Sequence, residues 1–277
     1  FRKELLYGSI AGVCIQLVGH PFDTVKTCQQ IFMKKASKTV KIIYSNNGLG
    51  GFYKGITPPL ATSALVNAIV FTAYESSRTI FKHFNYNKDS YTVIGISGVF
   101  AGILNSLVVS PVELLKIRMQ METQGLEHHS YRDFFKNNLK GHKSLLMRGL
   151  LVTNLRDSIS YACQFISYEY SLRKLKEYSP NKVNNLLHFF IAGSIGGFFC
   201  WTSTYPLDTI KTIIQSTDNF ERRGVTRSEI FTVAMKVYRE KRIRGFFSGY
   251  NFCLGRAFIA NGVGFLAWEL SKNILKY

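Results

Sequence analysis

The sequence predicts an all-α membrane protein with six transmembrane helices, arranged as three tandem two-helix repeats in a pseudo-threefold barrel. Three observations support this fold class: a charged motif that occurs three times, long apolar stretches without charge, and glycine pairs at matching offsets. A fixed internal period of this kind indicates a repeat architecture. We therefore divide the 277 residues into repeats 1–85, 86–182 and 183–277, which together form one structural domain.

The motif reads Pro-x-(Asp/Glu)-x-x-Lys and begins at Pro21, Pro111 and Pro206, so that successive prolines are 90 and 95 residues apart. A proline inside a helix removes one hydrogen bond and bends the helix. The acid and the lysine of each motif stand three residues apart and therefore share a helix face. Three bent helices of this kind are expected to converge at one end of a barrel.

Four stretches contain no Asp, Glu, Lys or Arg: 5–22, 56–74, 90–112 and 183–207. Each is about as long as a helix must be to cross the hydrocarbon core of a bilayer. Two further stretches, about 150–175 and 250–275, are interrupted by Arg156 with Asp157 and by Arg256. These six stretches give two spanning helices per repeat. A large soluble protein with several buried helices is the less favoured alternative.

Glycine pairs precede each motif, and the second glycine of every pair stands nine residues before the proline. The pairs have the spacing Gly-x-x-x-Gly: Gly8 and Gly12, Gly98 and Gly102, Gly193 and Gly197. Small residues at this spacing let helix backbones approach closely in lipid. We therefore expect these glycines to pack the odd-numbered spanning helices against the even-numbered ones.

Positive charge concentrates between the two spanning helices of each repeat. The chain has 35 Lys and Arg against 17 Asp and Glu, and the segments 33–54, 121–148 and 216–248 hold 18 of those 35. Helix parity places these segments on one side of the membrane, and such an excess is typical of the side that faces anionic lipid or the interior. Amphipathic surface helices are expected there, near 36–46, 131–140 and 227–240.

Other classes of function find little support. No nucleic-acid-binding module matches the basic segments, so no nucleic-acid partner is expected. The six histidines and five cysteines are scattered, which predicts no metal site, no cofactor and cysteines in a reducing compartment. No glycine-rich phosphate loop follows a strand, and no nucleophile has an evident base. The chain is therefore not expected to be an enzyme.

The three motifs, the glycine pairs and the run Phe52-Tyr53-Lys54-Gly55 carry a resemblance to the mitochondrial carrier family along essentially the whole chain. Within that family the chain most resembles the carnitine/acylcarnitine and amino-acid (ornithine-type) carriers. The run from Arg256 to Gly262, the pair Arg156-Asp157 and the stretch from Leu17 to Pro21 point to these carriers. The resemblance implies a multi-pass protein of the mitochondrial inner membrane, with its surface helices on the matrix side.

The resemblance also implies a gate on the matrix side, closed by ion pairs between neighbouring motifs. The expected pairs are Asp23 with Lys116, Glu113 with Lys211, and Asp208 with Lys26. Glutamines four residues after each lysine match the positions that brace these pairs by hydrogen bonds: Gln30, Gln120 and Gln215. Six unrelated charges at helix ends are the alternative, which the repeat period disfavours.

A second gate is expected at the cytoplasmic end, where the family has an aromatic-acid-x-x-base pattern. Repeats 1 and 3 fit this pattern with Glu75 and Arg78 and with Glu269 and Lys272. The middle repeat departs from it, because Glu169 is followed by Leu172 where a base is expected and by Arg173 one place later. One of the three pairs is therefore in doubt, and this gate is expected to be weaker than a complete ring.

The glycines Gly55, Gly149 and Gly249 supply a ruler for substrate contacts. Seven residues after each stand Thr62, Arg156 and Arg256, and twelve residues after the first and third stand Asn67 and Asn261. Charged residues inside a spanning helix normally face a water-filled path or a partner.

Among these residues, Arg256 is expected to bind a substrate carboxylate, because guanidinium offers a bidentate fork. Asp157 is expected to receive the cationic end, with Arg156 holding Asp157 between transport cycles. Adjacent helical residues project about 100° apart, so Arg156 and Asp157 are not expected to face the same point. A structural ion pair between helices is the alternative for these charges, and Asn67 and Asn261 could equally join neighbouring helices.

The predicted substrate is therefore a zwitterion. Ornithine-type carriers have a glutamate in the second helix at the position we assign to Val66, and its loss argues against a long cationic side chain. The sequence predicts transport of carnitine, its esters or an amino acid by alternating access, with antiport expected and cardiolipin bound near Tyr53-Lys54-Gly55. The alternative is a carrier-fold protein that serves as a structural subunit or docking partner of a larger inner-membrane complex.

Overall fold

The computed structural model describes residues 2–121, 149–178, 185–217, 227–257, 259 and 263. Most of these residues are helical and none of them is in a strand, which confirms the all-α fold class. The helices, numbered in chain order, are α1 (Arg2–Phe32), α2 (Ala36–Asn47), α3 (Thr57–His83), α4 (Tyr91–Met121), α5 (Leu150–Tyr178), α6 (Asn185–Ser216) and α7 (Arg227–Phe246). A 3-10 turn covers Gly48–Tyr53, and residues 250–257 are helical.

The five long helices coincide with the first five predicted spanning segments. The motif prolines lie inside α1, α4 and α6, and each of these helices continues past its proline. Residues 250–257 begin the sixth segment, and the rest of it lies outside the described residues. By length and composition alone, two described stretches could cross a membrane, Ala36–His83 with mean hydropathy 1.4 and Tyr91–Met121 with 2.0.

Two predicted surface helices are present as α2 and α7. The one expected at 131–140 falls outside the described residues. Gly48, which caps the end of α2, has a φ of 58°, and Arg242, which interrupts α7, has a φ of 50°. Each of these residues stands seven residues before its repeat's ruler glycine. An arginine in this backbone region is strained where a glycine is not. The first and third repeats therefore share one backbone geometry despite different residues.

The three ruler glycines have nearly the same backbone conformation, with φ of 81° at Gly55, 81° at Gly149 and 84° at Gly249. A Cβ at Gly55 would lie 2.8 Å from the backbone oxygen of Lys116, and one at Gly149 would lie 2.9 Å from Cγ of Gln215. Positive φ and this close approach both require glycine. The geometry explains why the sequence places a glycine at the start of every even-numbered spanning helix.

The chain divides into two compact units. The first contains residues 1–65, 109–149 and 209–277, and the second contains 66–108 and 150–208. In the first unit, Val25, Cys28 and Ile43 form a buried apolar cluster. In the second unit, an apolar cluster of α3 and α4 residues packs against two aromatic rings of α5: Val70, Ala73, Tyr74, Ile94 and Ala101 against Tyr161 and Phe165.

The glycine prediction is confirmed in the second repeat. Cβ atoms at Gly98 and Gly102 would lie 2.8 Å from Ala162 Cα and 2.5 Å from the Asp157 backbone oxygen, so α4 packs closely on α5. At Gly12, Gly193 and Gly197 a Cβ would meet no described atom within 4 Å, and most of the sixth spanning segment lies outside the described residues, so for them the packing stays a prediction.

The third repeat makes its close approach at a different glycine. A Cβ at Gly196 would lie 3.1 Å from the Gln164 backbone oxygen, which is on α5. One residue along a helix rotates the contact face by about 100°. Gly196 therefore faces α5, and Gly193 and Gly197 lie on other faces of the same turns of α6.

Candidate functional site

Two of the three expected ion pairs between motifs are present in the first unit. Lys116 Nζ donates to Asp23 Oδ2 at 2.7 Å, and Lys211 contacts the carboxylate of Glu113. These pairs join α4 to α1 and α6 to α4. Asp208 Oδ1 accepts a hydrogen bond from Arg156 Nη1 at 2.9 Å, a contact the sequence did not predict. The pairing of Asp208 with Lys26 stays a prediction.

The three glutamines are almost fully buried, and their hydrogen bonds link α1, α4 and α6 in a closed ring. Each donates to a group beside the next motif: Gln120 to Thr24 Oγ1 at 3.1 Å, Gln30 to Thr209 Oγ1 at 3.3 Å, and Gln215 to the Ser110 backbone oxygen at 3.4 Å. Buried amides with such partners rigidify a polar network. These contacts hold α1, α4 and α6 together at the end where the motif charges lie.

Arg256 binds a carboxylate of the protein itself. Its Nε lies 3.0 Å from Asp23 Oδ1, while the other oxygen of Asp23 accepts the bond from Lys116. Asp23 is therefore shared by two cations, one from the motif of α4 and one from residues 250–257. The expected carboxylate-binding residue is thus in direct contact with an expected gate residue, which sequence reasoning did not anticipate.

Arg156 shows the opposite arrangement, because this one cation contacts two carboxylates of the second unit. Its Nε and Nη2 lie 2.7 and 2.5 Å from Asp157 Oδ1, and its Nη1 donates to Asp208. Although adjacent helical residues diverge, the long arginine side chain bends back onto its neighbour. The structure thus contains both arrangements considered from sequence, Arg156 holding Asp157 and an ion pair between α5 and α6.

Asn105 completes the surroundings of Asp157 and was missed by the sequence analysis. Its Nδ2 donates to Asp157 Oδ2 at 2.9 Å, across the close α4–α5 contact. A nearby amide bond also joins these helices, from Asn154 Nδ2 to Ser106 Oγ at 3.1 Å. A detectable signal existed, because Asn105 is a polar residue inside an otherwise apolar stretch. Polar residues in such stretches usually bond across helices.

The other residues expected to contact the substrate are Thr62, Asn67 and Asn261. The Thr62 hydroxyl donates to the backbone oxygen of Pro58 at 2.9 Å, within its own helix. Asn67 is exposed. Asn261 lies outside the described residues. Within the described residues there is no group of three or more His, Cys, Asp or Glu side chains that could hold a metal ion.

At the cytoplasmic end, each described base bonds an acid of its own helix. Arg78 Nη1 lies 3.3 Å from Glu75, and Arg173 Nε donates to Glu169 at 2.7 Å. The base that stands one place late therefore still reaches its acid. The expected position is taken by Leu172, whose side chain is buried. Glu269 and Lys272 fall outside the described residues.

Asp89, in the loop between α3 and α4, also contacts these bases, and the sequence analysis did not identify it. Asp89 Oδ1 accepts from Arg78 Nη2 at 2.7 Å, and its backbone oxygen accepts from Arg173. The Arg173 guanidinium also lies 4.9 Å from the centre of the Tyr91 ring. The α3–α4 loop is thereby fastened to the ends of both α3 and α5.

Comparisons with known proteins agree with this architecture. Residues 1–85, 87–179 and 182–277 each match the family described as mitochondrial carrier protein. The chain is 29% identical to the mitochondrial carnitine carrier of Saccharomyces cerevisiae, over 99% of this chain and 88% of that protein. It is 32% identical to the mitochondrial glycine transporter YMC1 of the same yeast, over 99% and 91%. It is 30% identical to the mitochondrial arginine transporter BAC1 of Arabidopsis thaliana, over 99% and 94%.

These matches extend over all three repeats. The chain belongs to the mitochondrial carrier family.

Proposed function

We propose that this solute carrier moves a zwitterionic metabolite, carnitine with its esters or an amino acid, across the mitochondrial inner membrane by alternating access. Its family consists of transporters rather than enzymes. The observation that carries the proposal is the ion pair between Arg256 and Asp23, because it links an intramembrane arginine to a motif carboxylate that Lys116 also binds.

A substrate carboxylate competes directly with Asp23 for Arg256. Asp23 meets Arg256 as an ion pair at Nε, without hydrogen-bond geometry, whereas guanidinium can bind a substrate carboxylate through its two-pronged fork, so a substrate can replace Asp23. Once Arg256 is taken, Asp23 keeps only Lys116 of the two cations described around it. Substrate binding thereby weakens a contact of the motif charges, which is what opening the matrix side requires. A ligand shifts a conformational equilibrium only by its differential affinity for the two states.

The cationic end of the substrate is assigned to Asp157. This carboxylate is almost fully buried and is held by Arg156 and Asn105. A substrate cation competes with Arg156 for it, and the released guanidinium retains Asp208 as a partner. Thr62, Asn67 and Asn261 are proposed as neutral contacts. The gates are proposed to consist of the motif charges with their glutamines at one end and the Glu75, Glu169 and Glu269 groups at the other.

The names of the relatives bear on the substrate. The yeast relatives are named for carnitine and for glycine, both zwitterions without a second cationic group, and the plant relative is named for arginine. The presence of Val66 in place of a second-helix glutamate favours the uncharged class. Exchange rather than uniport, and cardiolipin at the surface helices, belong to the same proposal.

Uptake into liposomes that contain the purified protein tests this function. The liposomes are preloaded in parallel with carnitine, neutral, basic or acidic amino acids, or nucleotides. We expect exchange of carnitine or a neutral amino acid, with a large loss of exchange in Arg256→Ala and in Asp157→Ala. Arg239→Ala is the matched control, because Arg239 is exposed on α7 and should leave uptake unchanged.

Two outcomes contradict the proposal. Exchange of nucleotides or acidic compounds alone would retain the transporter but reject the zwitterion site. Absence of exchange with every compound, in protein that unfolds cooperatively on heating, would favour the structural-subunit alternative. Purification of the chain in fixed stoichiometry with a larger membrane complex would strengthen that alternative.

A further inference from the structure

The amide of Asn105 has a fixed orientation. A carboxylate accepts hydrogen bonds and does not donate them, so the Asn105 group that faces Asp157 Oδ2 at 2.9 Å is its nitrogen. The carbonyl oxygen Oδ1 therefore points elsewhere. Asn105 is 2% exposed, and Oδ1 has no hydrogen-bond partner among the described residues.

A buried acceptor without a donor is unfavourable, and native structures nearly always satisfy such atoms. Neighbouring groups do not supply the donor. The amide nitrogen is bound to Asp157, and the Arg156 contacts described for this side chain go to Asp157 and Asp208. Asn105 Oδ1 and the Asp157 carboxylate are therefore two buried acceptors, joined through the amide nitrogen of Asn105. They lie on α4 and α5, which approach closely at Gly98 and Gly102.

Such a pair matches a cation that carries N–H groups. A primary ammonium offers three donors and can satisfy an amide oxygen and a carboxylate together. A quaternary ammonium carries the same charge but has no N–H to donate, so it would leave Oδ1 unsatisfied. Sites that hydrogen-bond a substrate group discriminate strongly against analogues that lack it, because the buried partner is then left unpaired.

Aromatic side chains nearby are engaged with one another. The Tyr74 and Phe165 rings stack with centroids 3.9 Å apart, and Tyr161 stacks on Phe165 with centroids 6.1 Å apart. Recognition of a quaternary ammonium relies on aromatic faces turned toward the cation. In this cluster Phe165 has a ring on two sides, so its faces are used in packing.

We propose that Asn105 is a specificity-determining residue that, together with Asp157, selects substrates whose cationic nitrogen bears N–H groups over those with a quaternary nitrogen. The inference rests on the proposed function, because it assigns the cationic end of a zwitterion to Asp157. It narrows the substrate class from any zwitterion to compounds with a free amino group. It also places one specificity residue on α4, a helix that carries one of the three charged motifs.

The test uses two pairs of compounds that differ only in three N-methyl groups. One pair is glycine and glycine betaine, and the other is 4-amino-3-hydroxybutyrate and carnitine. Competition by all four for exchange into proteoliposomes of the wild-type protein needs no variant. We expect the amine of each pair to be preferred by at least about tenfold, the loss typical of a hydrogen bond to a charged group.

Variants then assign the preference to Asn105. Asn105→Leu should bring each ratio close to one by weakening the amines, and Asn105→Gln, which keeps the carbonyl, should restore part of the preference. Asn154→Leu is the matched control, because Asn154 lies in the same α4–α5 interface but donates to Ser106. Its ratios should equal those of the wild type.

The outcomes separate this inference from the proposed function. Equal recognition within each pair, or preference for the methylated member, overturns the inference while zwitterion transport stands. An unchanged ratio in folded Asn105→Leu protein rejects Asn105 as its origin. Failure of all four compounds to exchange overturns the proposed function and the inference with it.

Discussion

The two compact units of this carrier each contain a shared ion pair, but they share opposite charges. In the first unit one carboxylate, Asp23, contacts two cations, Lys116 and Arg256. In the second unit one guanidinium, Arg156, contacts two carboxylates, those of Asp157 and Asp208. A shared group can lose one partner and keep the other, so each arrangement can exchange one contact for a ligand of the matching sign.

The sign of the shared group decides which ligand can compete. Around Asp23 the exchangeable partner is a cation, so an arriving carboxylate can take Arg256. Around Arg156 the exchangeable partner is a carboxylate, so an arriving ammonium can take Asp157. The two arginines also differ in burial, because the Arg256 side chain is 25% exposed and that of Arg156 is 10% exposed.

The largest expected effect is on stability, at the more buried cluster. Arg156→Leu leaves the Asp157 and Asp208 carboxylates without this guanidinium. Removing one partner of a buried ion pair typically costs about 3–5 kcal/mol, because the remaining charge stays buried. We expect the thermal unfolding temperature of the purified protein to fall steeply, and Arg239→Leu on the exposed face of α7 to leave it nearly unchanged.

A second variant checks the cause. Adding Asp157→Asn to Arg156→Leu removes one of the two carboxylates that have lost this guanidinium and should recover part of the lost stability, since residues in contact are coupled. If the double variant is less stable than Arg156→Leu by the full effect of Asp157→Asn alone, then the guanidinium does not act through this carboxylate.

Arg256→Ala should affect transport more than stability, with a large loss of uptake and a small loss of stability. Charged hydrogen bonds are worth about 1.5–3 kcal/mol, so uptake below saturation should fall by roughly ten- to a hundredfold. Lys116 remains on Asp23, which limits the cost to folding. The measurement is initial uptake beside thermal unfolding on one preparation. Arg256→Lys keeps the charge without the fork and should recover uptake only in part.

An unfolding shift at Arg256→Ala as large as that at Arg156→Leu would contradict this comparison. Arg256 would then be a structural partner of Asp23, and the contrast between a replaceable and a structural arginine would disappear.

A third prediction concerns how closely the helices around Asp157 approach. Gly102→Ala would place a methyl group 2.5 Å from the Asp157 backbone oxygen, so α4 and α5 must separate. Overpacking of this kind costs about 1–3 kcal/mol. Gly193→Ala is the matched control in the same unit, because a Cβ there meets no described atom within 4 Å. We expect Gly102→Ala to lower the unfolding temperature and weaken substrate affinity, and Gly193→Ala to do neither.

Equal tolerance of both substitutions would mean that the α4–α5 contact relaxes freely. Asn105 could then not hold Asp157 at a fixed distance, and the selectivity inferred for that pair would lose its physical basis.

The repeat pattern was sufficient to predict the described spanning helices, and the family resemblance implied two contacts between motifs that the structure contains, Asp23 with Lys116 and Glu113 with Lys211. The acid and the lysine stand two and five residues after the proline in every motif, so a repeat period fixes where they lie. Contacts between positions that are not equivalent could not be predicted in this way. Arg156 with Asp208 and Arg256 with Asp23 depend on the reach of a long side chain, and Asn105 depends on the rotation of α4 against α5.

The smallest effect is expected at the cytoplasmic end, where a shared ion pair lies in solvent. Asp89 contacts Arg78 through its carboxylate and Arg173 through its backbone oxygen, and its side chain is 54% exposed. Exposed ion pairs contribute about 0–1 kcal/mol because water and salt screen them. Asp89→Ala removes the contact to Arg78 and keeps the backbone contact to Arg173. We therefore expect a fall in unfolding temperature of no more than a few degrees, reduced further in high salt.

The same substitution also tests whether burial alone separates the clusters. If Asp89→Ala destabilises the protein as much as Arg156→Leu does, then the loop fastens α3 and α5 through more than a screened charge pair. The comparison would in that case be between gate and site rather than between exposed and buried ions. A small, salt-sensitive shift instead means that burial decides how much each shared ion pair contributes to stability.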